Sequence, residues 1–98
     1  TDAVINRLLT IFANQGLLEK TVVVLAADHG EAFGERGIEG HAREVFREET
    51  EIPFILGFPF RLEQGVVVGN RSRNVDVWPT LLDLLGLPPL PDADGRSL

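Results

Sequence analysis

A chain of 98 residues holds one small domain and no more, and its 44% hydrophobic content is that of a globular rather than a disordered protein. A formal net charge of -6 argues against a nucleic-acid partner, which would call for a basic face, but an anionic substrate stays open if a bound metal reverses the local field. With no cysteine, these residues offer no disulfide, thiolate metal site or cysteine nucleophile.

The sequence opens Thr1-Asp2 without a methionine and enters helical periodicity at once, which reads as a piece of a longer protein. Over residues 2 to 15, Val4, Leu8 and Phe12 recur at four-residue spacing with Ile5 and Leu9 beside them, the stripe of an amphipathic helix. Asp2 suits its N-cap and Gly16 its stop. Residues 21 to 27 follow as an apolar run with three consecutive valines, the pattern of a parallel-sheet strand buried on both faces. Residues 30 to 51 change character. Gly30, Gly34, Gly37 and Gly40 punctuate a stretch with Glu31, Glu35, Arg36 and Glu39, and no period persists up to Gly40, so a long loop is expected. Ala42 to Thr50 is polar and reads as partly helical. Ile52 to Gly57 is a second short buried strand with Pro53 at its entry, and Gly65 to Val68 is a third strand candidate. From Asp76 the helical pattern returns, with Val77, Leu81, Leu82 and Leu85 on one face, Pro79 in the first turn, and Gly86 and Pro88 closing it. Pro88 to Leu98 reads as an extended surface tail. No apolar run reaches the length of a membrane span.

Chemistry concentrates where the first strand ends, in Ala27-Asp28-His29-Gly30-Glu31. Ligands of open α/β sheets bind outside the carboxyl ends of strands. Adjacent strand residues point to opposite faces, so Asp28 and His29 converge only if the chain turns there, which Gly30 permits. A carboxylate and an imidazole are ligand types for Zn²⁺ or Mn²⁺. The alternative is a helix cap beside a hydrogen-bonded histidine. His41, the only other histidine, lies on the same glycine-rich segment. Glu31, Glu35 and Glu39 read as solvated loop acids, and a role for Glu31 would be to orient a histidine rather than to bind metal.

The segment from Val23 to Gly37, with its Asp28-His29-Gly30-Glu31 and Gly34-Glu35-Arg36-Gly37, resembles the strand and loop of the sulfatase family of the alkaline phosphatase superfamily. The resemblance continues through Gly40-His41, through Val45 to Glu49 with Ile52-Pro53-Phe54-Ile55, and through Asp76-Val77-Trp78-Pro79-Thr80-Leu81-Leu82-Asp83-Leu84, in the family's order and spacing over nearly the whole chain. It implies an α/β fold, part of an alkaline-phosphatase-like three-layer sandwich with a mostly parallel sheet flanked by helices. Residues 1–98 would be a C-terminal segment of the catalytic domain, with the nucleophile-bearing N-terminal part outside it.

Carried over residue by residue, the resemblance makes Asp28 and His29 metal ligands and His41 the catalytic residue, matching a histidine that in phosphotransferase-like relatives approaches the substrate anion or a second metal, where many arylsulfatases have a lysine. Asp76 and Asp83 would be structural, a cap and a surface position. No residue here matches the family's nucleophile motif, and Thr10, Thr21 and Thr50 are not nominated. The implied cofactor is a divalent ion, Zn, Mn, Ca or Mg, and the implied partner an anionic sulfate or phosphate ester. The implied function is a metal-dependent hydrolase of sulfate esters that works through a covalent intermediate on a nucleophile outside these residues. A phosphoethanolamine- or phosphoglycerol-type transferase or phosphodiesterase of the same superfamily shares residues 28 to 41. A non-catalytic α/β interaction domain stands as the reading from another class. The family's range includes extracytoplasmic and membrane-associated proteins, with membrane attachment only through segments outside this chain.

Overall fold

The protein is seen in a computed structural model that describes residues 1–41 and 45–98. It divides into two compact units, residues 1–66 and 67–98.

In the first unit, α1 (Asp2–Asn14) forms where the periodicity places it. Its N-cap is Thr1, so Asp2 falls in the first turn, where a negative charge complements the helix N-terminus. Gly16 ends it at φ 66°, and the Leu17 N–H bonds the Phe12 carbonyl at 2.9 Å. That bond needs a left-handed residue just past the helix, hence glycine. The sheltered stripe is Ile5, Leu9 and Phe12; Val4 and Leu8 are exposed, so the covered face is turned from the expected one.

The first strand, β1 (Val23–Ala26), pairs with β4 (Phe54–Gly57), with Val23 opposite Gly57 and Ala26 opposite Phe54. The pairing is antiparallel, where a mostly parallel sheet was expected. Among the described residues 27–53, the only helix longer than three residues is the four-residue α2 (Arg47–Thr50). Among the described residues no crossover helix carries the chain back over the sheet, and β4 re-enters antiparallel to β1. Nor is β1 buried on both faces: Val23, Val24 and Leu25 are half-buried and Ala26 is exposed. The strand expected at Gly65 to Val68 does not form. A β-branched run becomes a strand when it packs against neighbours, and Val67 is 92% exposed.

The stretch expected to be an irregular loop contains a small hairpin. Strand β2 (Ala32–Phe33) runs antiparallel to β3 (Glu39–Gly40), with Ala32 opposite Gly40. Gly34 opens the connection at φ 103°, and Arg36 takes a left-handed φ of 58°. The Arg36 guanidinium lies 4.4 Å from the centre of the Phe46 ring and 3.2 Å from Glu48 Oε1, which fastens the hairpin turn to α2. That helix bears out the partly helical reading of residues 42 to 50 for the part described; residues 42–44 lie outside the described residues. Among the described residues, Ala32 and Phe58 are the buried apolar side chains, Phe58 with the Phe60 ring edge-on to it at 4.4 Å.

In the second unit, a short turn (Asn74–Asp76) leads into α3 (Val77–Leu85), with Pro79 in its first turn and Gly86 at φ 68° closing it. Asp76 stands at the N-cap position, but its carboxylate does not cap the helix. It turns back to accept the Arg73 backbone N–H at 2.9 Å, Arg73 Nη2–H at 2.9 Å and the Arg96 N–H at 3.1 Å, and is 2% exposed. Thr80 Oγ1 donates to the Asp76 carbonyl at 2.7 Å and accepts the Leu98 N–H at 3.2 Å, while Ser97 Oγ donates to Asp83. The tail expected to lie extended over the surface is tied along α3 at its end. Asp83 keeps its surface place but holds the tail. Gly95 makes this approach feasible, because a Cβ there would run into the Val75 carbonyl.

Two outcomes follow. The Arg73 side chain, aided by the Arg96 N–H, pulls the Asp76 carboxyl down to about 2 from the ordinary 3.8. A depressed carboxyl stabilises the fold fully above its unfolded value and ceases to as pH falls through its folded value. The stability gap between the wild type and Asp76→Asn, followed by thermal unfolding, should be constant well above 3.8 and narrow as pH falls through the range from 3.8 to about 2. Gly95→Ala should destabilise by about 1–3 kcal/mol in denaturant titration, the scale of forcing backbone to move around an added methyl group.

Candidate metal and anion site

The site grows from the end of β1. Ala26 is the last strand residue, and the chain bends at Asp28. The reason for Gly30 differs from the expected one. Its φ is not left-handed; instead a Cβ would collide with the Glu48 carbonyl oxygen, and its N–H donates to the Glu49 carbonyl at 2.7 Å. The bend is thus held against the backbone of α2, and only a residue without a side chain allows that approach.

This bend lets neighbouring side chains converge. Asp28 Oδ2 lies 3.7 Å from His29 Nε2, and Asp28 Oδ1 accepts the His29 backbone N–H at 3.1 Å. His29 Nδ1 is 2.8 Å from the Gly30 carbonyl oxygen. A carbonyl can only accept, so Nδ1 carries the proton and Nε2 presents its lone pair on the Asp28 side. The hydrogen bond to the Gly30 carbonyl is the main cause that raises the His29 pKa, helped by the negative charges of Asp28, Glu31 and Glu49. Hydrogen bonds from its own and the His29 backbone N–H groups lower the Asp28 pKa, and the His29 imidazole adds to them.

The hairpin brings in the other half. Ala32 faces Gly40, so Glu31 and His41 occupy the next rung, and both Glu31 carboxylate oxygens lie 3.2 Å from His41 Nδ1. The His41 ring lies over the His29 ring, with centroids 3.9 Å apart and planes tilted by 33°. Asp28, His29 and His41 are therefore one cluster, with Glu31 behind His41. Glu35 is turned away, its carboxylate accepting the Phe33 N–H at 2.6 Å. An open cleft lined by Glu31, Ala32, Phe33, Glu39 and Gly40 adjoins the cluster.

Two donors 3.7 Å apart can share one cation whose bonds are about 2.0–2.2 Å long, and the assigned His29 tautomer leaves the right nitrogen available. Among the described residues no group of three or more acids and histidines is arranged to hold a metal ion. Sequence reasoning missed Glu49, 8% exposed and near enough to raise the His29 pKa. Buried at the end of a one-turn helix in a polar run, it has no periodicity to mark it.

The Sulfatase family model matches residues 1–87. The whole chain aligns at 30% identity with human arylsulfatase K, of which it spans 18%. It aligns at 34% identity, over 97 residues, with the N-acetylglucosamine-6-O-sulfatase of Bacteroides thetaiotaomicron, spanning 17% of it. A 97-residue match at 31% identity is to a Drosophila melanogaster protein named as an extracellular sulfatase, SULF-1 homolog, of which the chain spans 9%. In three dimensions the chain is similar to the solved structure of BT4656 in complex with its substrate D-glucosamine-2-N,6-O-disulfate, with a TM-score of 0.88 at 34% identity, covering 99% of this chain and 19% of that one. Among the described residues no helix is long and apolar enough to cross a membrane. The chain thus spans about a fifth or less of the length of these relatives, and its matched block carries the Asp28, His29 and His41 cluster. By the match over residues 1–87 the chain belongs to the sulfatase family, whose members are sulfuric ester hydrolases.

Proposed function

We propose that this chain supplies the metal-holding and anion-facing edge of a sulfate-ester hydrolase site, within a catalytic domain whose nucleophile lies outside these residues. The observation that carries the reading is the convergence of Asp28 Oδ2 and His29 Nε2 to 3.7 Å, with His29 Nδ1 already committed to the Gly30 carbonyl. Electrostatics support it. Asp28, Glu31 and Glu49 gather around two imidazoles, a field that repels an anionic ester and attracts a cation. A bound cation inverts that logic.

Asp28 would contribute the negative charge that holds the ion, and His29 a neutral nitrogen donor fixed in place by its own backbone. When bound, a divalent cation would polarise the ester oxygens and lower the pKa of the attacking group. His41, anchored through Nδ1, presents Nε2 away from Glu31. In its protonated form it offsets negative charge on the transferred group, which is most useful where that charge grows. The attacking group would bond to sulfur as the substrate's S–O bond breaks and its alcohol leaves with a proton, and water would then cleave the covalent ester to release sulfate and restore the attacking group. A sulfated sugar, the kind of molecule named as substrate of BT4656, is the class we would test first.

In the full-length protein, Asp28→Ala and His29→Ala should each abolish turnover of an aryl sulfate and lower the metal content measured by elemental analysis. Near-normal values for both quantities in either variant would overturn the assignment. The wild type should cleave an aryl sulfate faster than a bis-aryl phosphate; the reverse order would favour the phosphodiesterase or transferase alternative. Gly30→Ala should leave the ligand types intact but push the bend off α2. Its aryl sulfatase activity should fall by about 100-fold, the order expected from a misplacement of about 1 Å.

A further inference from the structure

We propose that Glu31 is a positioning residue: it fixes the orientation of His41 so that the Nε2 edge, which carries an N–H in the protonated ring, is the one offered to the substrate anion. The proposal rests on the reading of His41 given above and extends it to a residue with no contact to the ester.

The hairpin register makes the pair. Ala32 pairs with Gly40, so Glu31 and His41 are the rung at its open end, and two residues ten apart in sequence meet. Both Glu31 carboxylate oxygens sit 3.2 Å from Nδ1, on that edge of the ring. An ionised carboxylate only accepts, so Nδ1 must carry the proton and Nε2 is directed to the opposite side of the ring. The ring face is fixed separately, by the His29 imidazole at 3.9 Å. One edge contact and one face contact leave His41 little freedom to flip.

A merely stabilising role explains the geometry less well. The Glu31 and His41 side chains are 37% and 47% exposed, and ion pairs so open to water contribute little to stability. Of the three acids along the hairpin, Glu35 is occupied by the Phe33 N–H, whereas Glu31 is aimed at an imidazole. A carboxylate behind a functional histidine sets the histidine's tautomer and orientation, and removing it costs about 10–100-fold in function.

The test uses the full-length protein with an aryl sulfate as probe. Glu31→Ala should lower kcat by about 10–100-fold, with KM changed by less than about two-fold and metal content unchanged. Glu31→Gln, whose amide oxygen accepts the same N–H, should recover most of that loss. Long-range ¹⁵N–¹H spectra at a pH where imidazole is neutral should show His41 as the Nδ1–H tautomer in the wild type and Glu31→Gln, and as a mixture in Glu31→Ala. An unchanged kcat in Glu31→Ala overturns the proposal. So does a lost kcat with the tautomer unaltered, or a Gln variant as impaired as the Ala variant. Asp28→Ala, assayed in parallel, separates the two levels. If it is inactive and metal-poor while Glu31→Ala is normal, only the positioning role fails. If it is active, the reading beneath it fails.

Discussion

The site depends on a clearance of one missing methyl group. Gly30 lies so close to the carbonyl of Glu48 that no other residue fits, and its N–H is bonded to the Glu49 carbonyl. This contact closes the excursion that leaves β1 and returns as β4. It turns the chain sharply enough after the strand for Asp28 and His29 to face a common point, which two successive residues of a regular strand cannot do. It also brings the buried Glu49 near the His29 ring.

The hairpin that follows solves a different problem. A single bend can offer two donors, but not a third group at a chosen angle to them. Two rungs of antiparallel pairing, Ala32 with Gly40 and Phe33 with Glu39, suffice to return the chain to its start and lay His41 on His29. Such short strands contribute little stability of their own. They are held from outside, by Arg36 reaching Glu48 and the Phe46 ring. Backbone carbonyl and carboxylate play matched parts here. Gly30 O meets Nδ1 of one imidazole and Glu31 meets Nδ1 of the other.

What could be read from the sequence was whatever repeats. Both long helices and the strands β1 and β4 announce themselves through apolar spacing, and glycines mark the helix ends. Asp28, His29 and His41 stood out because ligand-type residues clustered in one segment. The hairpin was invisible, since two-residue strands cannot show a period of two. The sheet was misjudged because a run of valines reports burial potential and says nothing of strand direction; that is set by the connection, which here lacks a crossover helix. At residues 65 to 68 the same valine signal misled, as β propensity without a neighbouring strand leaves exposed chain. Gly30 was picked out for the wrong property, conformational freedom in place of clearance, because the atom it makes room for lies eighteen residues away.

Asp28 and Asp76 show how the same side chain parts into two uses. Asp76 is buried and accepts donors from Arg73 and from the tail, so its negative charge is answered from within the chain and its pKa sits at about 2. A carboxylate so fully answered has nothing left for a ligand. Asp28 is the opposite case: its side chain is 90% exposed, Oδ1 takes a backbone N–H, and Oδ2 points toward an imidazole nitrogen that its tautomer leaves unprotonated. Lowering of its pKa comes mainly from backbone N–H groups, with the His29 and His41 imidazoles adding to it. Asp28 lies beside a second polar group, with His29 Nε2 3.7 Å from Oδ2, whereas Asp76 is enclosed by donors from its own chain.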